Sequence, residues 1–222
     1  MLSKQHRRSR LDWAKRHQSW TKDDWRRVIW SDETKINMCG SDGKKWCWKK
    51  RGRPLEDRVI APTRKYGGGS IMIWGCMTAD GPGYSAQVRG TMDARQYQDM
   101  ILGPLEGTLT WYSLDKRRVI YQHDNDPKHT ARSTVQLLED SGWNVLDWPS
   151  QSPDLNPIEH LWAQVKNRMS LDPETPKTTE ELWLKLERIW NEITKETCTN
   201  LIDSMPDRIN AAIKARGGHT KY

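Results

Sequence analysis

The 222-residue sequence contains no phenylalanine, only four cysteines and no long apolar run. No segment approaches the ~18 apolar residues that a membrane-spanning helix needs, so we expect no transmembrane helix. The basic first residues lack the apolar block of a secretory signal peptide, which predicts an intracellular, soluble protein. The cysteines form no C-x-x-C pair, which argues against a zinc centre, and intracellular thiols usually stay reduced.

Positive charge, by contrast, is in excess. The chain has 36 Lys and Arg residues against 29 Asp and Glu residues, a formal net charge of +7. Such an excess favours a polyanionic partner, either nucleic acid or an anionic membrane surface. The length suits one domain, alone or with an arm, and allows a sizeable core.

The hydrophobic pattern alternates between short apolar runs and helical periodicity. Apolar runs predict five strands, at about 28–31, 70–78, 83–90, 117–124 and 143–148. Helical patterns separate or follow the later strands, which predicts an α/β fold with a mixed five-stranded sheet flanked by helices. Residues 1–25 are expected to form a basic, solvated helical arm or connector, and 26–222 the domain, with a turn-rich insertion at about 39–68 and C-terminal helices at about 178–216.

Local signals set some of the helix boundaries. Asp93 is a good N-cap for a helix from Ala94, which the Gly103-Pro104 pair is expected to break or kink. Thr130 is expected to cap a helix that ends at Gly142.

Three acidic residues stand where the predicted elements end or begin. Asp32 and Asp124 each end a strand, and Glu159 opens a helix just after the last strand. Functional sites of open α/β sheets gather at strand ends, so these acids would meet if the first and fourth strands are neighbours. Two carboxylates ~4 Å apart repel by about 4 kcal/mol at an effective dielectric of 20, and a bound cation would relieve this. Magnesium prefers such oxygen ligands, and two ions can catalyse phosphodiester chemistry.

Each acid also has a structural alternative. Glu159 follows Asn156 by three residues with Pro157 between them, so it could complete a capping box. Asp124 and Asp126 could be turn formers before Pro127. Asp32 could be an ordinary acid at a strand end.

Two basic segments are candidates for contact with nucleic acid. At the start of a helix, Lys128, His129 and Arg132 could meet phosphates or form a solvated basic turn. In the insertion, basic residues alternate with tryptophan, which suits a DNA backbone or, alternatively, an exposed charged hairpin. The candidates there are Lys44, Lys45, Lys49, Lys50 and Arg51.

Four motifs resemble those of the mariner superfamily of DNA transposases, in the branch of the nematode Tc elements. They are "WSDETKI", "GGGSIMIWGC", "QHDNDPKHTAR" and "WPSQSPDLNPIEHLW", in that order, and the similarity extends from about residue 20 to the C-terminus. The family carries a D…D…E triad on a ribonuclease-H-like fold. Its acids match Asp32, Asp124 and Glu159, and the 34 residues between the last two are the spacing of this branch.

The resemblance implies a metal-dependent enzyme that hydrolyses transposon ends and joins them to double-stranded target DNA at TA. The triad would hold two Mg²⁺ ions, with Mn²⁺ as a substitute, and Asn125, Asp126 and His129 would support it. The insertion at about 39–68 resembles the family's clamp loop, which contacts DNA and the partner subunit, so a homodimer on DNA is expected. Nuclear localisation is expected from the family and from the absence of other targeting signals. Neither a membrane partner nor a small-molecule substrate is implied.

One departure leaves a functional alternative. Family members carry paired helix-turn-helix domains before the catalytic domain, and this chain begins at what resembles the connector after them. The alternative is therefore a catalytically idle or repurposed transposase-derived protein that binds DNA or another protein. A general ribonuclease-H-like nuclease would explain the triad but not the proline-rich loop or the 34-residue spacing.

Overall fold

The computed structural model describes residues 2–38 and 69–222. The expected insertion at 39–68, with its five candidate basic residues, lies outside this range. In the described ranges, no helix is long and apolar enough to cross a membrane. The strands are β1 Val28–Asn37, β2 Ser70–Thr78, β3 Gly81–Val88 and β4 Ile120–Gln122. The helices are α1 Lys4–Arg16, α2 Lys22–Arg26, α3 Ala94–Met100, α4 Glu106–Trp111, α5 Pro127–Thr130, α6 Arg132–Asp140, α7 Pro157–Leu171, α8 Thr179–Asn191, α9 Lys195–Asp203 and α10 Met205–Lys214.

The sheet is mixed, as predicted, with the strand order β3-β2-β1-β4. β1 pairs antiparallel with β2 and parallel with β4, and β2 pairs antiparallel with β3. Its described part has four strands rather than five. The segment predicted as the fifth strand meets β4 through a single parallel bridge, Tyr121 to Val145. β4 is only three residues long and exchanges two hydrogen bonds with this segment, so no longer ladder forms.

Helices cover both faces of the sheet because alternate strand residues are apolar on both sides. On one face, Val28, Trp30 and Ile73 pack against α1, α2 and the C-terminal helices α7–α10. On the other face, Ile29, Trp74 and Cys76 pack against the segment from α3 to α6. The architecture is therefore a three-layer α/β/α arrangement, in agreement with the predicted class.

The first helix departs from the sequence prediction. α1 is helical as expected, but it is docked on the domain rather than solvated, since Arg10, Trp13 and Ala14 are buried. The Trp13 ring lies against Trp148 at 4.9 Å and against Trp25 at 6.0 Å between centroids. The mostly polar composition of α1 predicts a solvated helix, but the buried face is narrow and consists of Trp13, Ala14 and Arg10, whose charge is paired with Asp154.

One of the two local helix predictions needs correction. Thr130 does not cap α6: it ends the short helix α5, which Asp126 caps by accepting a hydrogen bond from the Lys128 amide. The predicted break or kink at Gly103 and Pro104 takes the form of a π-helical turn, 101–105, which follows the end of α3 at Met100 and joins it to α4. Such a turn accommodates the missing proline N–H without ending the helical run.

Candidate active site

The parallel pairing of β1 with β4 brings the two predicted aspartates to the same edge of the sheet. Trp30 lies opposite Gln122, and Asp32 and Asp124 each follow two residues later in the same direction. Ser31 fixes this alignment, since its hydroxyl donates to the Gln122 carbonyl at 2.8 Å. The expectation that the first and fourth strands are neighbours is confirmed.

Helix α7 carries Glu159 to this edge. Asn156 caps the helix by accepting a hydrogen bond from the Ile158 amide, and its own amide group donates to the Ser31 carbonyl at 3.3 Å. The N-terminus of α7 is thereby attached to the residue before Asp32. In a capping box the Glu159 side chain would accept from the Asn156 backbone N–H, but that N–H donates to the Pro153 carbonyl. The Glu159 carboxyl is instead hydrogen-bonded to Asp32. Glu159 therefore faces Asp32 instead of completing a capping box.

Asp32 and Glu159 form a pair of acids in close contact. Burial, followed by the negative charges of Glu159 and Glu33, raises the pKa of Asp32 well above its ordinary value. Protonation of Asp32 or a bound cation would relieve this repulsion. A half-buried pair of carboxylates with this electrostatic cost has the chemistry of a site for a hard divalent cation.

Asp124 lies in a different environment from Asp32. Its Oδ1 atom accepts hydrogen bonds from the Asp126 amide at 2.9 Å and from Nδ1 of His129 at 2.7 Å. Burial opposes the charged form, but the bonds from His129 and Asp126 outweigh it, so the pKa of Asp124 is lowered. In the described part of the chain, no three His, Cys, Asp or Glu residues are close enough together to hold a metal as they stand.

His129 is buried between two acids. Its Nε2 atom lies 3.2 Å from Oε1 of Glu33, opposite the bond from Nδ1 to Asp124. Burial alone would lower the pKa of His129, but the bonds to Asp124 and Glu33 raise it to about 9. Its side chain is 3% exposed and both ring nitrogens are engaged with these acids, and contact of His129 with phosphate stays a prediction.

The remaining predicted residues lie around this core. Lys128 points inward, 3.1 Å from Asp126 and 3.7 Å from Glu33, so it offsets acidic charge. Arg132 is exposed at the start of α6, where contact with DNA stays a prediction. Asn125 donates to the Trp148 carbonyl at 2.7 Å and to the Ser150 hydroxyl, which attaches the loop before α7 to the loop after β4.

Sequence reasoning missed the partners of these acids. Glu33 did not stand out, although it directly follows Asp32, and only the folded chain shows its contact with His129. Ser31 was an unremarkable polar residue in the sequence and Asn156 was considered only as a helix cap, yet they join β1, β4 and α7. The adjacency of "SDE" in the sequence was the one available signal for Glu33.

Comparisons with known proteins identify the family of this chain. Residues 27–183 match the family described as DDE superfamily endonuclease. The Tc1 transposase of Caenorhabditis elegans is 40% identical over 223 residues, which cover all of this chain and 80% of that protein.

Solved structures show the same fold. The chain aligns over its whole length with the Mos1 transposase in a paired-end complex with the left transposon end, at a TM-score of 0.84 and 23% identity, and covers 65% of that chain. It also aligns with the whole Mos1 catalytic domain bound to raltegravir with Mg, at a TM-score of 0.77 and 21% identity. Mos1 is a mariner transposase of Drosophila mauritiana. These similarities confirm the predicted ribonuclease-H-like fold.

Proposed function

Because this chain belongs to the DDE superfamily endonucleases, we propose that it is the catalytic domain of a cut-and-paste DNA transposase. The observation that carries the proposal is the convergence of three elements on one edge of the sheet. β1 supplies Asp32, the loop after β4 supplies Asp124, and α7 supplies Glu159 in contact with Asp32. These are the acids at which the family's D…D…E motif falls in this sequence.

The three carboxylates are proposed to hold two Mg²⁺ ions, for which Mn²⁺ can substitute. Divalent cations at such a site activate an attacking oxygen and offset charge on the leaving oxygen. Other residues of the chain position these carboxylates. Asn156 holds the N-terminus of α7 against β1, which directs Glu159 toward Asp32. The bonds to Oδ1 keep Asp124 ionised and oriented.

The substrate is proposed to be double-stranded DNA, namely transposon ends and a TA target. Hydrolysis would free a 3′-hydroxyl, which would then attack a phosphodiester of the target strand and displace that strand's own 3′-oxygen. The net charge of +7 favours such a polyanion. A homodimer on DNA, nuclear localisation and DNA contacts by Arg132 and the basic residues of the insertion belong to the same proposal.

Nicking of supercoiled plasmid in the presence of Mn²⁺ tests this function. Asp124→Asn keeps the size of the side chain and is expected to lose nicking. The matched control Asp99→Asn makes the same change at an exposed position of α3 and should nick like the wild type. Both variants should unfold at the wild-type temperature to within a few degrees. Nicking by Asp124→Asn would refute the assignment, and an inactive wild type would favour the idle, repurposed alternative.

A further inference from the structure

The two oxygens of the Asp124 carboxylate are not equivalent. Oδ1 accepts two hydrogen bonds, from the Asp126 amide and from His129 Nδ1. In the described ranges, Oδ2 has no hydrogen-bond partner, so it is the oxygen left free for another ligand. A carboxylate has about four acceptor positions, and two of those on Oδ1 are used by the protein.

His129 is itself held on three sides. Glu33 Oε1 lies 3.2 Å from Nε2 and fixes the ring edge opposite Asp124. The ring of Tyr97 packs against the imidazole at 3.9 Å between centroids. Tyr97 is fully buried, and its hydroxyl is bonded to that of Tyr121 on β4 at 2.8 Å. The imidazole therefore has little freedom to turn, and it transmits the position of β1 to the Asp124 carboxylate.

We propose that Glu33 and His129 are positioning residues that hold Oδ1 of Asp124, so that Oδ2 is its metal-ligating oxygen. This inference rests on the proposed function, since it concerns the same metal site. Hydrogen-bonded partners of metal-ligating groups orient those groups, and their loss typically weakens metal binding 10–100-fold. Neither residue touches the reacting atoms, so neither is assigned a catalytic role.

Two substitutions of His129 separate positioning from packing. The amide nitrogen of asparagine can take the place of Nδ1, whereas that of glutamine takes the place of Nε2. His129→Asn is therefore expected to keep the bond to Asp124, and His129→Gln to keep only the bond to Glu33. The readout is Mn²⁺ affinity, measured from the electron paramagnetic resonance signal of free Mn²⁺ with duplex DNA present.

The expected result is that His129→Gln binds Mn²⁺ about 10–100-fold more weakly, with His129→Asn much closer to the wild type. Glu33→Ala should also weaken binding, and combining it with His129→Gln should add little, because the two residues act as one unit. Circular dichroism checks that each variant is folded. If His129→Gln does not fold, Glu33→Ala and His129→Asn carry the test.

The outcomes distinguish this inference from the proposed function. Equal weakening by the two His129 variants would indicate a packing role only and would overturn the inference. Wild-type affinity for Mn²⁺ in both His129→Gln and Glu33→Ala would also overturn it. If Asp124→Asn nevertheless lost Mn²⁺ binding, the assignment of Asp124 to the metal site would still stand. If the wild type binds no Mn²⁺, the metal site and the positioning role both fail.

Discussion

Replacing Arg10 is expected to destabilise the whole domain. The guanidinium group is buried and uses all five of its N–H donors. Two go to the Asp154 carboxylate at 2.7 Å each, and three go to the carbonyls of Gln151, Gly217 and Gly218 at 3.0 Å each. Arg10 thereby joins α1 to the loop before α7 and to the C-terminal segment.

The magnitude follows from burial. The Arg10 and Asp154 side chains are 0% and 8% exposed, and breaking such a buried pair typically costs 3–5 kcal/mol. At roughly 2–4 °C per kcal/mol for a domain of this size, Arg10→Met should lower Tm by about 6–20 °C. Arg8 on the same helix is a matched control: its side chain is 86% exposed and its ion pair with Asp12 is worth at most about 1 kcal/mol.

Thermal unfolding followed by circular dichroism measures both variants. Arg8→Met should unfold within about 4 °C of the wild type. The double variant Arg10→Met/Asp154→Leu should recover part of the loss, because no unpaired charge stays buried. If Arg10→Met cost less than about 1 kcal/mol, or no more than Arg8→Met, the assignment of a buried structural network would be refuted.

Three further predictions concern single positions. Burial alone would raise the pKa of Asp154, but hydrogen bonds from Arg10 and Thr220 lower it. Ionised Asp154 therefore stabilises the folded protein at pH values above the ordinary carboxyl pKa, and this stabilisation is lost as the pH falls through the lower pKa of the folded state. Wild-type Tm should thus fall more steeply below about pH 4 than that of Asp154→Asn, and parallel curves would contradict this. Gly217→Ala should destabilise the protein, because Gly217 has a φ of +74° and an added Cβ would lie 1.9 Å from the Arg7 carbonyl oxygen. Gly142→Ala is the control for backbone strain alone, since Gly142 has a φ of +70° and open space around it. Equal losses in Tm from the two variants would contradict the clash at Gly217. Asn156→Ala should reduce stability by about 0.5–2 kcal/mol and slow nicking, since both the cap and the link to Ser31 are lost; nicking at the wild-type rate would show that the link does not position Glu159.

The sequence predicted the main features of the site because strand ends and helix starts are local signals. Asp32 and Asp124 end apolar runs, and Glu159 follows a proline at the start of an amphipathic helix, so their convergence required only that β1 and β4 be neighbours. The contact between Glu33 and His129 could not be predicted in this way, because it joins residues 96 positions apart through side chains alone.

The errors have a similar origin. α1 was expected to be solvated because most of its residues are charged, but a charged residue such as Arg10 can be buried when its partners come from distant segments. The strand at 143–148 has the right composition, yet β4 offers it only one paired residue. Both outcomes depend on tertiary contacts that composition and periodicity do not contain.

The most direct test of the central claim is thermal unfolding of the wild type and Asp32→Asn, each with duplex DNA, in EDTA and in excess Mn²⁺. At about 100 times its dissociation constant, the ion should stabilise the wild type by about 2.7 kcal/mol, several degrees in Tm. Asp32→Asn keeps the oxygen that accepts from the Glu33 amide and removes charge beside Glu159, so it should be at least as stable as the wild type in EDTA and gain nothing from Mn²⁺. A Mn²⁺-dependent rise of equal size in both proteins would contradict a metal site at Asp32, Asp124 and Glu159.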